Sequence, residues 1–257
     1  MPTHLIWLFD FIGSILPSAS AIPSVTSPER TGVNWLLIAD WFVAIGTLVL
    51  AAVAVFQETI RGWFYRARFR FSIKTEPPDC VKVPFTKKED GSFIADSFCI
   101  NLWIENAGNA TARNAEVFAE ELQRWREEGC WERVGTFPPM NLRWGHVGGM
   151  YVNIAPGTGK HCCIAHIVDP PRRNLLNEEV SELNLKPDQT ALAFDVIVVP
   201  NHKGHIIGLG KYRLKILAAA ENARLSRGTI EISLPGQWYA DETKMLRYGL
   251  GVKTVAV

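Results

Sequence analysis

The sequence VNWLLIADWFVAIGTLVLAAVAVF at residues 33–56 is an apolar run that contains one charged residue, Asp40. As an α-helix it would be ~36 Å long, which is enough to cross the ~30 Å hydrocarbon core of a bilayer with some tilt. Aromatic residues such as Trp35 and Phe64 flank the run, and aromatic rings favour the membrane interface. The sequence therefore predicts one transmembrane helix over residues 33–57.

The N-terminal segment and linker, residues 1–32, precede this helix. Residues 5–16 are apolar but too short to span a bilayer, so three interpretations compete: an interfacial helix, a signal-peptide core and a loosely ordered anchor. A signal peptide usually begins with a positive region, and no Lys or Arg precedes residue 5, which favours the interfacial helix. Residues 17–32 are rich in Ser and Pro, which is typical of a linker.

A basic and aromatic segment, residues 58–67, follows the predicted helix. The basic side chains expected to contact lipid phosphates are Arg61, Arg66, Arg68 and Arg70. They are either a specific lipid-headgroup site or an ordinary positive flank. In both cases the excess of positive charge on this side predicts a single-pass protein of the inner (cell) membrane, with the N-terminus outside and the C-terminal domain in the cytoplasm.

Small and polar residues recur along one face of the predicted helix. These residues are Asp40, Ala44, Thr47, Ala51 and Ala54. Small residues let helices approach closely in lipid, and a polar side chain can form a hydrogen bond between them, so this stripe predicts self-association. The alternative is that small residues are common in any spanning helix and that Asp40 lies near the headgroups.

Residues 68–236 show the period-two alternation of half-buried β-strands. The alternation is clearest in residues 98–104, 212–218 and 229–234. Further strands are predicted over residues 68–75, 80–86, 114–123, 130–136, 161–168 and 191–199. Turn signals built from Gly, Pro and Asn separate these segments, which is the pattern of a β-sandwich or barrel.

The segment Leu209-Gly210-Lys211-Tyr212 resembles the tyrosine corner of immunoglobulin-like and fibronectin type III domains. In that family the tyrosine hydroxyl bonds to backbone upstream, and the resemblance implies this structural role for Tyr212. Residues 100–117 also resemble the B-to-C hairpin of such domains. The resemblance implies a mainly β fold: an immunoglobulin-like antiparallel β-sandwich with insertions over residues 68–236, preceded by one transmembrane α-helix.

The region is longer than the roughly 100 residues of that family, so we place the insertions at residues 137–160 and 169–189. Trp103 and Trp125 are the tryptophans available for its core. The C-terminal helix and tail, residues 237–257, should begin their helix near Asp241, an acceptable N-cap. The apolar tail can pack against the domain or add a strand.

The strongest metal-type candidates are His161, Cys162 and His166, because zinc is bound by converging His and Cys side chains. On a regular strand Cys162 and His166 share one face, whereas His161 and Cys163 point the other way, so we expect no metal centre and no cofactor. The five cysteines lack the spacing of a disulfide framework and are expected to be reduced thiols. The stretch GTGKH at 157–161 lacks the Gly and the Ser or Thr of a phosphate-binding loop.

Composition narrows the function without identifying it. Lys and Arg number 27 against 26 Asp and Glu, and the residues after the basic segment are nearly neutral, which argues against a nucleic-acid partner. We expect a membrane-anchored binding or assembly module without catalysis, whose partners are membrane lipids and either a protein or a second copy of its own helix. The alternatives are an oligomeric, channel-like membrane effector whose sandwich senses a ligand and, more weakly, a metal-dependent enzyme.

Overall fold

The structure is a computed structural model. It describes residues 35–87, 89–145, 149–178 and 181–255, and only the backbone of residues 58–64 and of residue 182. The predictions for residues 1–32 lie outside these ranges. Within them the chain has one long helix and a mainly β domain with two antiparallel sheets, which confirms the coarse fold prediction.

Helix α1 runs from Trp35 to Phe64, 30 residues in all. Its part Trp35–Gln57 has a mean hydropathy of 2.3, and none of that part is buried inside the structure. By length and composition this helix is able to span a membrane. It extends past the predicted end at residue 57 because helical backbone bonding continues into the polar residues that follow the apolar run.

In the described part of the chain, fourteen β-strands follow helix α1. They are β1 (Phe69–Ser72), β2 (Cys80–Thr86), β3 (Phe93–Asn106), β4 (Ala112–Trp125), β5 (Trp131–Arg133), β6 (Met140–Asn141), β7 (Arg143–Trp144), β8 (Val152–Ile154), β9 (Gly159–Val168), β10 (Leu192–Phe194), β11 (Ile206–Ile207), β12 (Gly210–Ala219), β13 (Ser226–Leu234) and β14 (Gly251–Val255). Two 3-10 helices, Pro170–Leu176 and Ser181–Leu183, lie between β9 and β10, and a short helix α2, Glu242–Lys244, precedes β14.

The strands form two seven-stranded antiparallel sheets. The first sheet has the order β1–β3–β9–β10–β11, with β2 also paired to β3 and β7 to β9. The second sheet has the order β14–β13–β12–β4–β5, with β6 and β8 also paired to β4. Since β14 pairs with β13, the C-terminal tail belongs to the second sheet and is not a separate element.

One hydrophobic core contains side chains from both sheets. Alternate residues of β3, for example Ile100 and Leu102, are fully buried, as are Leu214 and Ile216 of β12 at the positions that the alternation predicted. The tryptophan of this core is Trp144, whose Nε1 donates to backbone carbonyls, including that of Ala115 at 3.1 Å. Trp103 and Trp125, the tryptophans that the sequence offered for the core, do not fill it, since Trp103 is half-buried and Trp125 is exposed.

Among the β-bulges of the described residues, one in β4 and one in β9 decide which way Trp125 and His166 face. In β4 the register with β12 shifts at Glu120, so that Ala115, Val117 and Ala119 face inward before it, whereas odd-numbered residues face outward after it and Trp125 ends on the outer face. In β9 the register with β3 shifts at Ile164. A bulge adds one unpaired residue and reverses the alternation beyond it, which no period-two pattern in a sequence reveals.

The predicted insertions and the C-terminal segment have structure of their own. Residues 137–160 contribute β6, β7 and β8, and residues 169–189 contribute the two 3-10 helices. Helix α2 begins where predicted, since the carboxylate of Asp241 accepts a 2.8 Å hydrogen bond from the backbone N–H of Lys244.

Candidate functional site

The three metal-type residues predicted on β9 do not converge. Cys162 faces the core and is fully buried, whereas His161 and His166 lie on the outer face of the first sheet. The expectation that Cys162 and His166 share a face is wrong, because the bulge at Ile164 reverses the alternation between them. The other histidine, His161, lies with its Nε2 3.1 Å from Asp79 Oδ1.

His166 is instead the centre of a polar cluster that spans three elements. Its Nδ1 lies 3.0 Å from Oδ1 of Asp195, just after β10, and its Nε2 lies 2.7 Å from Oε1 of Glu178, just after the first 3-10 helix. The ring of Phe85 on β2 packs edge-on, with ring centroids 5.0 Å apart. The imidazole is nearly buried, so its position and orientation are fixed from three sides.

This environment keeps His166 protonated. Burial lowers the pKa of His166, but the hydrogen bonds and negative charges of Asp195 and Glu178 outweigh burial and raise the pKa to about 10. At neutral pH both ring nitrogens of His166 therefore donate to carboxylates. A ring in this state has no free lone pair with which to bind a metal ion or accept a proton from a substrate.

A cavity of about 560 Å³ opens beside this cluster. Its apolar wall includes Phe85 and Leu176, and its polar wall includes His166, Arg143 and His205. The Nδ1 atom of His205 is buried and has no hydrogen-bond partner among the described residues. Burial lowers the pKa of His205, which keeps this ring neutral and able to accept a hydrogen bond from a ligand.

The cavity is of the size and mixed polarity typical of small-molecule sites.

The sequence matches no protein-family model and no curated protein. Within the described residues, no group of three His, Cys, Asp or Glu side chains is arranged to hold a metal ion.

The thiols near this cluster are protonated at neutral pH. Burial, reinforced by the negative charge of Asp195, raises the pKa of Cys99 to about 11 and that of Cys163 to about 12. Burial also raises the pKa of Cys80 to about 12, and that of Cys162 well above its ordinary value. Since the thiolate is the nucleophile, none of these four cysteines is activated for catalysis.

Tyr212 lies at the start of β12 with its ring buried. Its hydroxyl is 3.1 Å from the carbonyl oxygen of Gly208 and 3.2 Å from that of Leu209, so it donates to backbone three to four residues upstream. This contact ties the segment before β12 to the strand. Burial raises the pKa of Tyr212, which leaves the hydroxyl protonated and able to donate.

The predicted basic flank is divided between the helix and the domain. Arg61 lies within α1, and its side chain is outside the described part of the chain. The backbone N–H of Arg66 donates to Asn109 Oδ1 at 2.9 Å, and that of Arg68 donates to Asn106 Oδ1 at 3.2 Å. Arg70 lies within β1, and Ala67 forms a β-bridge with Ala223. The end of the basic and aromatic segment, residues 58–67, is therefore already part of the β-domain.

The predicted stripe on α1 remains uncovered in the single chain, since Asp40, Ala44 and Ala51 are all exposed. The hydroxyl of Thr47 donates to the carbonyl oxygen of Val43 at 2.8 Å, one turn earlier. The hydroxyl proton of Thr47 is therefore already engaged in a hydrogen bond within the helix. Asp40 is the member of the stripe whose polar group is left to interact with another helix.

The fold brings Glu178, Asp195 and His205 to His166, and the sequence pattern did not indicate Glu178 or Asp195. Glu178 follows a 3-10 helix, Asp195 follows β10 and His205 precedes β11, and no local spacing connects them in the sequence. The available signal was weak: Asp195 ends an apolar strand, and His205 precedes another one.

Proposed function

We propose that this protein is a single-pass, membrane-anchored binding or assembly module that performs no catalysis and holds its β-domain in the cytoplasm. The observation that carries the proposal is the apolar part of α1, Trp35–Gln57, whose side chains have no partner within the described chain. Removing so much apolar surface from water favours insertion into a bilayer. Membrane lipids are then the first partner.

The state of the polar groups supports a binding role over an enzymatic one. His166 is held as a cation between two carboxylates, and the four buried or half-buried thiols are protonated. A general base needs a free lone pair, which the doubly protonated imidazole of His166 lacks, and a cysteine nucleophile needs a thiolate, which these protonated thiols do not supply. Because both ring nitrogens of His166 donate hydrogen bonds to carboxylates, neither is available to bind a metal ion, which argues against a metal-dependent enzyme at this strand.

We further propose that the β-domain is immunoglobulin-like, with its binding surfaces in the insertions and at the sheet edges. Supporting this are the two antiparallel sheets and the hydroxyl contact of Tyr212. The insertions at residues 137–160 and 169–189 supply part of the cavity wall, including Arg143 and Glu178. Loops carried by a rigid β-scaffold commonly bind partners.

Alkaline carbonate extraction of membranes that contain the full chain tests the anchor. We expect the wild type to remain in the membrane pellet. Val49→Arg combined with Val53→Arg, on the exposed surface of α1, should move the chain to the supernatant because charge at the bilayer centre opposes insertion. The matched control places Arg at the exposed domain residues Val198 and Val199 and should remain in the pellet. Extraction of the wild type by carbonate would refute the anchored module.

A second candidate is an oligomeric membrane effector whose β-domain senses a ligand. It is favoured by the unpartnered, buried Nδ1 of His205 beside the His166 cavity, since such an atom is available to a ligand. The exposed stripe that contains Asp40 would associate the helices. This candidate differs from the first in requiring self-association.

A further inference from the structure

A second concave site lies on the outer face of the second sheet, away from His166. Its volume is about 580 Å³, within the range of small-molecule sites. We call it the Trp125 groove, and the side chains that define it are Trp125, Trp131, Lys211, Arg213, Glu231 and Lys253. It lies where β4 ends and β12 and β14 begin.

The aromatic part of the groove is already organised in the absence of a ligand. The rings of Trp125 and Trp131 pack at 63° with centroids 5.0 Å apart. The guanidinium of Arg213 lies 4.2 Å from the centre of the Trp131 ring, in a cation–π contact. Trp131 is thus held between two neighbours, whereas Trp125 is 40% exposed and offers a ring surface to a ligand.

The charge of the groove favours an anionic ligand. Arg213 donates to Oε1 of Glu231 from Nε at 2.9 Å and from Nη2 at 2.7 Å, and Lys253 contacts the other oxygen at 3.1 Å. The one carboxylate among the defining side chains is therefore fully used. Lys211 is exposed and has no carboxylate partner among the described residues, so the groove has an excess of positive charge.

Ring stacking and excess positive charge together select the ligand class. A neutral sugar would stack on tryptophan but would leave the excess positive charge without a partner: the ammonium of Lys211 pairs with no carboxylate among the described residues, and that of Lys253, which contacts Glu231, has further N–H groups to donate. A phosphate-rich polymer would need a strongly positive domain, and this domain is nearly neutral. A small molecule with one planar ring and a compact negative charge fits both features.

We infer that the Trp125 groove binds a nucleotide, with its base stacked on Trp125 and its phosphates held by Lys211 and Lys253. This inference rests on the proposed binding function and adds the class of ligand to it. The groove has no phosphate-binding loop, so the phosphates are held by side chains on strands. Because these strands form one sheet, the ring platform and the two ammonium groups keep a fixed separation.

Calorimetric titration of the full chain in detergent micelles tests the inference, with ATP, GTP, CTP and UTP as the probes. We expect saturable binding of at least one of them. The nucleoside of the nucleotide that binds, which lacks phosphate, and tripolyphosphate, which lacks a base, should each bind about tenfold more weakly or worse than that nucleotide. Tripolyphosphate binding as tight as that of the nucleotide would reveal an anion site without stacking and would overturn the inference.

The variants separate stacking from charge. Trp125→Ala should weaken binding about five- to hundredfold, because base stacking on an aromatic ring is lost, and Trp125→Phe should retain most of the affinity. Lys211→Gln, an exposed change that leaves the core intact, should weaken binding about tenfold. Lys215→Gln is the matched control, since Lys215 pairs with Glu121 on the same face but does not line the groove.

No binding of any of the four nucleotides, or binding that Trp125→Ala and Lys211→Gln leave unchanged, would overturn the inference. The outcome is independent of the membrane anchor. A chain that remains in carbonate-washed membranes but does not bind nucleotides would lose this inference and keep the anchored-module function. A chain that binds nucleotides but is extracted by carbonate would lose the anchored-module function and keep this inference.

Discussion

The Nε2 atom of His166 lies 2.7 Å from Oε1 of Glu178, so a residue in a sheet strand is bonded to the residue that follows a 3-10 helix. On the other side of the ring, Nδ1 lies 3.0 Å from Asp195. The imidazolium therefore holds the predicted insertion at residues 169–189 against the first sheet. The cavity beside His166 is lined by residues from both sides of this contact, including Glu178 and Asp195.

We predict that the protein loses stability as the pH rises above neutral, because His166 loses its proton. Its pKa is about 10 in the folded chain against an ordinary 6.5, so its contribution is complete below pH 6.5 and is lost as the pH rises towards 10. Between these values the free energy of unfolding should fall by up to about 1.4 kcal/mol per pH unit on account of this group. Urea unfolding of the full chain in detergent, followed by tryptophan fluorescence, measures it.

His166→Gln is the matched variant, since an amide can still donate to one carboxylate but has no charge to lose. At pH 7 it should be less stable than the wild type by about 3–5 kcal/mol, because two carboxylates lose their buried cation. The difference should shrink steadily as the pH approaches 10. A difference that stays constant across this range would contradict a raised pKa for His166.

The hydroxyl of Tyr212 should contribute to stability independently of its ring. Tyr212→Phe keeps the buried ring but removes the donor to the carbonyl oxygens of Gly208 and Leu209, at a cost of about 1 kcal/mol. Tyr151→Phe is the control, because Tyr151 is exposed. Equal unfolding midpoints for the two variants would show that the contact at β12 does not stabilise the fold.

Thiol reactivity should distinguish Cys130 from the other four cysteines. Cys130 is exposed, whereas burial raises the pKa of each of the others and hides its sulfur. At pH 8 a chromogenic disulfide reagent should modify one thiol rapidly in the native chain and all five after denaturation. Cys130→Ser should abolish the rapid phase. Rapid modification of further thiols in that variant would contradict the raised pKa values of the half-buried Cys99 and Cys163.

The pattern of the sequence predicted the elements better than their orientation. The apolar run gave α1, and the alternation gave strands such as β3, β12 and β13, because burial of one face imposes a period of two. The positions of Trp125 and His166 could not be obtained in this way. Each lies beyond a bulge, at Glu120 and Ile164, where an extra residue reverses the faces without any change in the local pattern.

The pairing of very short strands and the contacts between distant residues also could not be predicted from the sequence. Strands such as β6 and β11 are two residues long, too short to show any period. The partners of His166 come from separate connections, and only the order of strands β3, β9 and β10 brings them together. Tyr212 was the exception, because its role depends on residues just upstream in the sequence.

If the helices associate through the Asp40 stripe, bulky residues on that stripe should prevent it. Ala44→Leu and Ala51→Leu should weaken self-association in detergent by about 1 kcal/mol or more, since both keep the helix apolar but block close approach. Val49→Leu and Val53→Leu, on the opposite face of α1, are the matched controls. Sedimentation equilibrium measures the change. If both pairs of variants behave alike, the stripe is not a contact surface.

The most direct test of the anchored module is the accessibility of Cys130 in intact cells that express the full chain. A membrane-impermeant thiol reagent should label Cys130 only after lysis, with Cys130→Ser giving the background. In that background, a cysteine introduced at Ser24 should be labelled in intact cells, because the account places the N-terminus outside and the β-domain inside. Labelling of Cys130 in intact cells, with Ser24→Cys protected, would contradict the account.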